Sequence, residues 1–132
     1  MNKVLVDTSV WIDALNGIKN KPTSTFRKLI DYDFSIVTCP IIIQEILQGI
    51  KNDKHFRLVQ ENLSGFEMLA LDSLKASIGA ASLYREIRKK GVTIRKSNDC
   101  LIAFFCIFHK IPILHADKDF DKIAQFTSLK IF

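Results

Sequence analysis

Four acidic residues are spaced so that a folded chain could gather them: Asp7, Glu45, Asp99 and Asp117, from four separate stretches of a 132-residue sequence. Carboxylates held close together repel and raise one another's pKa, so a stable cluster calls for a cation. An all-oxygen donor set suits a hard divalent ion, Mg2+ or Mn2+, whereas zinc would favour the His and Cys ligands that this pattern lacks. Such an ion generates a hydroxide nucleophile near neutral pH and stabilises charge building on phosphorus, which makes phosphodiester hydrolysis the chemistry these residues could perform. The spacing leaves open whether one ion or two would bind.

Each acid also has a purely structural reading. Asp7, before Thr8 and Ser9, can cap a helix; Asp99, after Ser97, can serve a helix dipole; Asp117 and Asp119 can be caps or solvated charges. Glu45 resists that explanation. It lies between Ile43 and Ile46 on an isoleucine-rich segment, where a charge is costly unless paired or metal-bound.

The elements that must position these acids follow from hydrophobic patterning. Val4 to Val6 is a short aliphatic run that reads as a buried strand ending at Asp7. Trp11, Ile12 and Leu15 continue at helical spacing until Asn16-Gly17, and Lys19 to Pro22 reads as a loop. Thr23-Ser24-Thr25 should cap a second helix with Phe26, Leu29 and Ile30 inward. Phe34 to Thr38 is a second strand, and Pro40 opens a helix whose apolar side is Ile42, Ile43, Ile46, Leu47 and Ile50.

Asp53 to Leu63 reads as helix, with Phe56, Val59 and Leu63 inward, and Phe66 to Leu71 as a third strand. Asp72-Ser73 caps a long helix through Lys90, carried by Leu74, Ile78, Ala81 and Ile87 and closed by Gly91. A helix from Ser97 or Asn98 carries an apolar run dense enough to be buried on most sides. Ile111 to His115 is a fourth strand, Asp117 to Phe126 a short helix and Leu129 to Phe132 a last strand. Strands alternating with helices predict an α/β fold with a central, mostly parallel sheet covered on both faces. In such sheets ligands bind beyond the carboxyl ends of the strands, which is where Asp7 and Asp117 fall.

With 48% apolar residues, 132 residues can bury one core, so residues 1–132 are read as a single domain. No stretch approaches the ~20 apolar residues needed to cross a bilayer, and early charges break the run that a secretory signal requires; a cytoplasmic location is expected. Cys39, Cys100 and Cys106 form no CxxC and read as buried thiols in a reducing compartment, and His55, His109 and His115 share no metal spacing. A net charge of +5 suits a polyanionic partner.

Four segments together resemble the PIN-domain ribonucleases, specifically the VapC type of toxin: Val4 to Asp13, Gln44 to Gly49, Asn98 to Ala103, and Ile113 to Ala124. None is specific alone; their order and spacing carry the likeness over nearly the whole chain. The resemblance implies a three-layer α/β/α sandwich, with Asp7, Glu45, Asp99 and Asp117 as the metal-binding acids. Thr8 or Ser9 would support the first acid, and Asp119 would be a supporting partner. Ala116 stands where many relatives have asparagine, and Phe104-Phe105 replaces small residues; neither change removes a ligand.

The resemblance further implies RNA as substrate, commonly a tRNA or ribosomal RNA loop, together with a homodimer and a cognate antitoxin lying across the acidic groove. Arg88, Arg95 and Lys96, in a basic run with Arg85, Lys89 and Lys90, are candidates to guide phosphates, or else form a solvated helix end. Trp11 with Phe26, Leu29 and Ile30 reads as core, with an antitoxin groove as the alternative. Three other functions compete: a PIN nuclease of RNA processing without a toxin role, an inactive PIN-like binding module, and a phosphoacceptor receiver. Retention of all four acids argues against the second, and the surroundings of Asp72 argue against the third.

Overall fold

A computed structural model describes residues 2–32 and 34–132; Met1, part of the N-terminal stretch read above, lies outside them. The first strand, β1 (Lys3–Val6), is central and fully apolar where it matters: Val4, Leu5 and Val6 are completely buried. A strand covered on both faces shows such a continuous aliphatic run rather than alternation. β1 pairs in parallel with β2 (Ser35–Thr38) on one side and β4 (Ile113–Leu114) on the other, while β3 (Glu67–Met68) extends the sheet beyond β2. The order is therefore β3-β2-β1-β4, all parallel, and a single parallel bridge from Ile113 to Ile131 is all that forms of the predicted last strand.

Parallel neighbours need crossovers, and here each is a pair of helices. α1 (Thr8–Leu15) and α2 (Lys21–Asp31) join β1 to β2; α3 (Pro40–Gln48) and α4 (Asp53–Leu63) join β2 to β3. α5 (Ser73–Lys89) and α6 (Ser97–His109) carry the chain back across β1 to β4, and α7 (Lys118–Phe126) follows. The chain leaves β1 toward β2 and later returns on its other side, so a topological switch point falls between β1 and β4. Such a point is where open α/β sheets build their binding crevice. The backbone joins the two strand ends there, the Asp7 amide donating to the Leu114 carbonyl at 2.9 Å.

Several expectations need correction. α2 begins at Lys21, not Thr23, because the Asn20 side chain accepts from the Thr23 amide while Thr23 Oγ1 accepts from the Asn20 amide. This reciprocal cap tolerates Pro22 in the first turn, where its missing N–H costs nothing. Phe26 and Leu29 are buried as expected, but Ile30, one turn after Phe26, is 56% exposed, at the rim of the buried face. Trp11 is core, meeting the Phe26 ring at 4.7 Å and the Phe66 ring at 5.2 Å, both edge-on. On α5 the inward residues are Ala76 and Ile87, with Ala80, Leu83 and Tyr84 partly covered, whereas Leu74 and Ile78 face outward.

α5 and α6 approach closely at Gly79. A Cβ there would lie 2.3 Å from the Phe104 ring, so this aromatic residue of α6 is accommodated by the absence of a side chain opposite. Gly91, at φ +87°, ends the α5 turn in the left-handed region that glycine adopts without strain.

Candidate active site

Asp7 is the N-cap of α1, directly beyond β1, and is buried. Its Oδ2 accepts from the Ser9 amide at 3.0 Å and the Ser9 hydroxyl at 2.5 Å. Ser9 Oγ in turn accepts from the Ala116 amide at 3.1 Å, so a main-chain donor ties the loop after β4 to the first acid whatever side chain position 116 carries. Burial pushes the Asp7 carboxyl above the ordinary carboxylate range against the pull of the Ser9 bonds, and the Glu45 charge adds to the rise.

Glu45 reaches the same region from α3. The Thr8 hydroxyl donates to its Oε1 at 2.8 Å, and the Asn98 amide nitrogen lies 3.5 Å from its Oε2. The two candidate hydroxyls thus divide their work, Ser9 holding Asp7 and Thr8 holding Glu45. Asn98 was not among the predicted site residues, although its place beside Asp99 in the first turn of α6 would have put it near the cluster.

Asp99 is 4% exposed, and its Oδ2 is buried without a hydrogen-bond partner. Burial, then the charges of Asp7, Asp117 and Asp119, raise its pKa to about 7, with Lys96 opposing. Asp117 caps α7, its Oδ1 accepting from the Asp119 amide at 3.0 Å. Partial burial works against its ionisation, yet the Asp119 amide, Lys96 and Arg95 together hold its carboxyl below the usual range. Carboxylate oxygens of Asp99, Asp117 and Asp119 lie within 4.8 Å of one another.

This tightest trio includes Asp119, expected only as a supporting residue, in place of Asp7 or Glu45. Asp7 and Glu45 adjoin it through the mutual electrostatic effects that raise Asp7 and Asp99. Asp119 is 1% exposed, a burial its position in the first turn of a short polar helix did not announce.

The three cationic candidates divide. Lys96 Nζ lies 3.1 Å from Asp117 Oδ2, an interaction that raises the lysine pKa. The Arg95 guanidinium bridges Asp117 Oδ1 and Asp119 Oδ2, both at 3.3 Å. Arg88 instead lines a cleft of about 410 Å³ between α5 and α6, with Tyr84, Arg85 and Asn98, and its guanidinium lies 5.5 Å from the Tyr84 ring centre. His115 is structural: its Nδ1 accepts from the Asp117 amide at 3.1 Å, so the neutral ring carries its proton on Nε2, 3.0 Å from Asp121 Oδ1.

Oxygen donors fit a hard divalent ion, and the buried, unpartnered Asp99 Oδ2 is the atom such an ion would satisfy. The molecule is thus an α/β protein of the switch-point type, with a carboxylate cluster beyond the ends of the adjacent strands β1 and β4. A PIN-domain family model matches residues 4–125, and the chain belongs to that family. It is 34% identical over 128 residues to the VapC ribonuclease Mb1587 of Mycobacterium bovis and, to the same extent, to ribonuclease VapC11 of Mycobacterium tuberculosis, covering 96% of each chain in both comparisons. VapBC2 from Rickettsia felis bound to a promoter DNA fragment contains a chain of similar fold, with TM-score 0.76, 19% identity and coverage of 98% of this chain and 97% of that one. DNA-bound VapBC from Salmonella typhimurium gives a TM-score of 0.72 at 17% identity, covering 100% and 98%. No helix among the described residues is long and apolar enough to cross a membrane.

Proposed function

We propose that this protein is an endoribonuclease toxin of the VapC type, dependent on Mg2+ or Mn2+, that cleaves phosphodiester bonds in a tRNA or ribosomal RNA and is neutralised by a cognate antitoxin. The observation that carries this reading is the buried, unpaired Asp99 carboxylate beside Asp117 and Asp119. A folded protein tolerates that arrangement readily if a cation completes it. The names of the mycobacterial relatives support the ribonuclease assignment, and the VapBC complexes of similar fold support an antitoxin partner.

When bound, a divalent ion supplies a hydroxide near neutral pH and offsets charge developing on phosphorus. Asp7, Glu45, Asp99 and Asp117 are its holders, with Asp119 adjoining. Ser9 keeps Asp7, and Thr8 keeps Glu45, in the orientation that this role requires. Arg88, Arg95 and Lys96 receive the RNA backbone, and a homodimer in the cytoplasm completes the proposal.

The test is cleavage of total cellular RNA by the purified protein. Discrete fragments should form with Mg2+ or Mn2+, vanish with EDTA, and be absent with a folded Asp7→Asn variant. Equal cleavage by the variant and the wild type would overturn the assignment.

A further inference from the structure

We propose that Lys96 is a built-in second cation of the carboxylate cluster, so that the RNA-free site takes a single divalent ion rather than a pair. The inference rests on the metal-binding reading above and sharpens it. Its starting point is the uneven distribution of partners. Asp117 Oδ2 faces the Lys96 ammonium at 3.1 Å and Asp117 Oδ1 faces Arg95 at 3.3 Å. The Asp119 oxygens face Arg95 at 3.3 Å and Lys122 at 3.6 Å. Asp99, in the same trio, keeps a buried oxygen with no partner. The Asp117–Asp119 flank is already neutralised by groups attached to the chain; the Asp99 flank is not.

Charge counting points the same way. Against the five neighbouring carboxylates of Asp7, Glu45, Asp99, Asp117 and Asp119 stand three cations, Arg95, Lys96 and Lys122, all paired with Asp117 or Asp119, which leaves a formal charge of −2. One divalent ion balances that charge; two would leave the partly buried site with an excess of +2, which a low-dielectric environment penalises. Of the three cations, Lys96 is the one best fixed to act this way. It is the N-cap of α6, and its carbonyl accepts from the Asp99 amide at 3.0 Å, so the ammonium and the open carboxylate are parts of one local unit. Arg95 spreads its charge over two acids, and Lys122 stands farthest from its partner. A compact ammonium is also the protein group nearest in character to a point-charge ion.

Lys96 is therefore a positioning residue that sets how many ions the cluster accepts. Replacing it by Met leaves a formal charge of −3 and frees Asp117 Oδ2, which opens a place for a second ion. The experiment is an equilibrium titration of metal-free protein with Mn2+ in the absence of RNA, counting bound ions by the loss of the free-ion electron paramagnetic resonance signal. Wild type and Lys96→Arg should bind about one Mn2+ per chain, and Lys96→Met about two, a twofold change in stoichiometry. Lys3→Met, at the amino end of the sheet where Lys3 pairs with Glu67, should stay at about one. Two ions on the wild type would overturn the proposal even if the Met variant failed to fold, as would a single ion on a folded Lys96→Met. No binding by the wild type would remove the metal reading and this inference together.

Discussion

At the scale of single residues, Asp99 couples the site to stability. Its carboxyl titrates near 7 in the folded chain against an ordinary 3.8, so the folded state prefers the protonated form. The associated stabilisation is fully present below about pH 4 and is lost as the pH rises through about 7. The melting temperature of EDTA-treated protein should therefore fall between pH 5 and pH 8. Asp99→Asn should flatten that slope and stabilise the metal-free protein at pH 8 by on the order of 2 kcal/mol while abolishing RNA cleavage. Thermal melts across that range check the sign. The thiols offer a second test: Cys39, Cys100 and Cys106 are buried and free, and burial pushes Cys39 up to about 12. Alkylation at pH 8 should leave all three unmodified in the native protein and label them in urea, as mass spectrometry would show.

At the scale of elements, the α5–α6 contact turns on Gly79. Because a Cβ would sit 2.3 Å from the half-buried Phe104 ring, Gly79→Ala should cost about 1–2 kcal/mol in urea unfolding, the ring yielding part of the way. Adding Phe104→Leu should recover most of that loss. Replacing Asn20 by Ala removes the reciprocal cap of α2 and should cost ~1 kcal/mol.

These elements also show where sequence reasoning reaches its limit. The α4 boundaries and the Asp72 cap were legible because polar caps and apolar spacing agree there. The start of α2 was not, because Lys19 to Pro22 has the composition of a loop until the Asn20–Thr23 bonds are seen. Leu74 and Ile78 fit a helical period yet face outward, since period alone does not say which face meets a neighbour. In the site, the places of Asp7 and Asp117 just after strands permitted a meeting of acids at one sheet edge, but did not establish it, and Asp99 follows a helix rather than a strand. The closeness of Asp119 to Asp99 was not, because it depends on the angle at which α7 leaves β4.

At the scale of the whole molecule, the β3-β2-β1-β4 order brings distant parts of the chain to one edge, with Asp7 and Asp117 beyond adjacent strands and Asp99 supplied by the returning helix. On the function proposed above, this edge holds a divalent ion. Anomalous diffraction from a crystal soaked in Mn2+ tests it most directly. A manganese peak is expected against the Asp99 carboxylate, within coordinating distance of Asp117 or Asp119. Manganese found only on outer carboxylates remote from Asp99, with the wild-type cluster empty at saturating concentration, would contradict it.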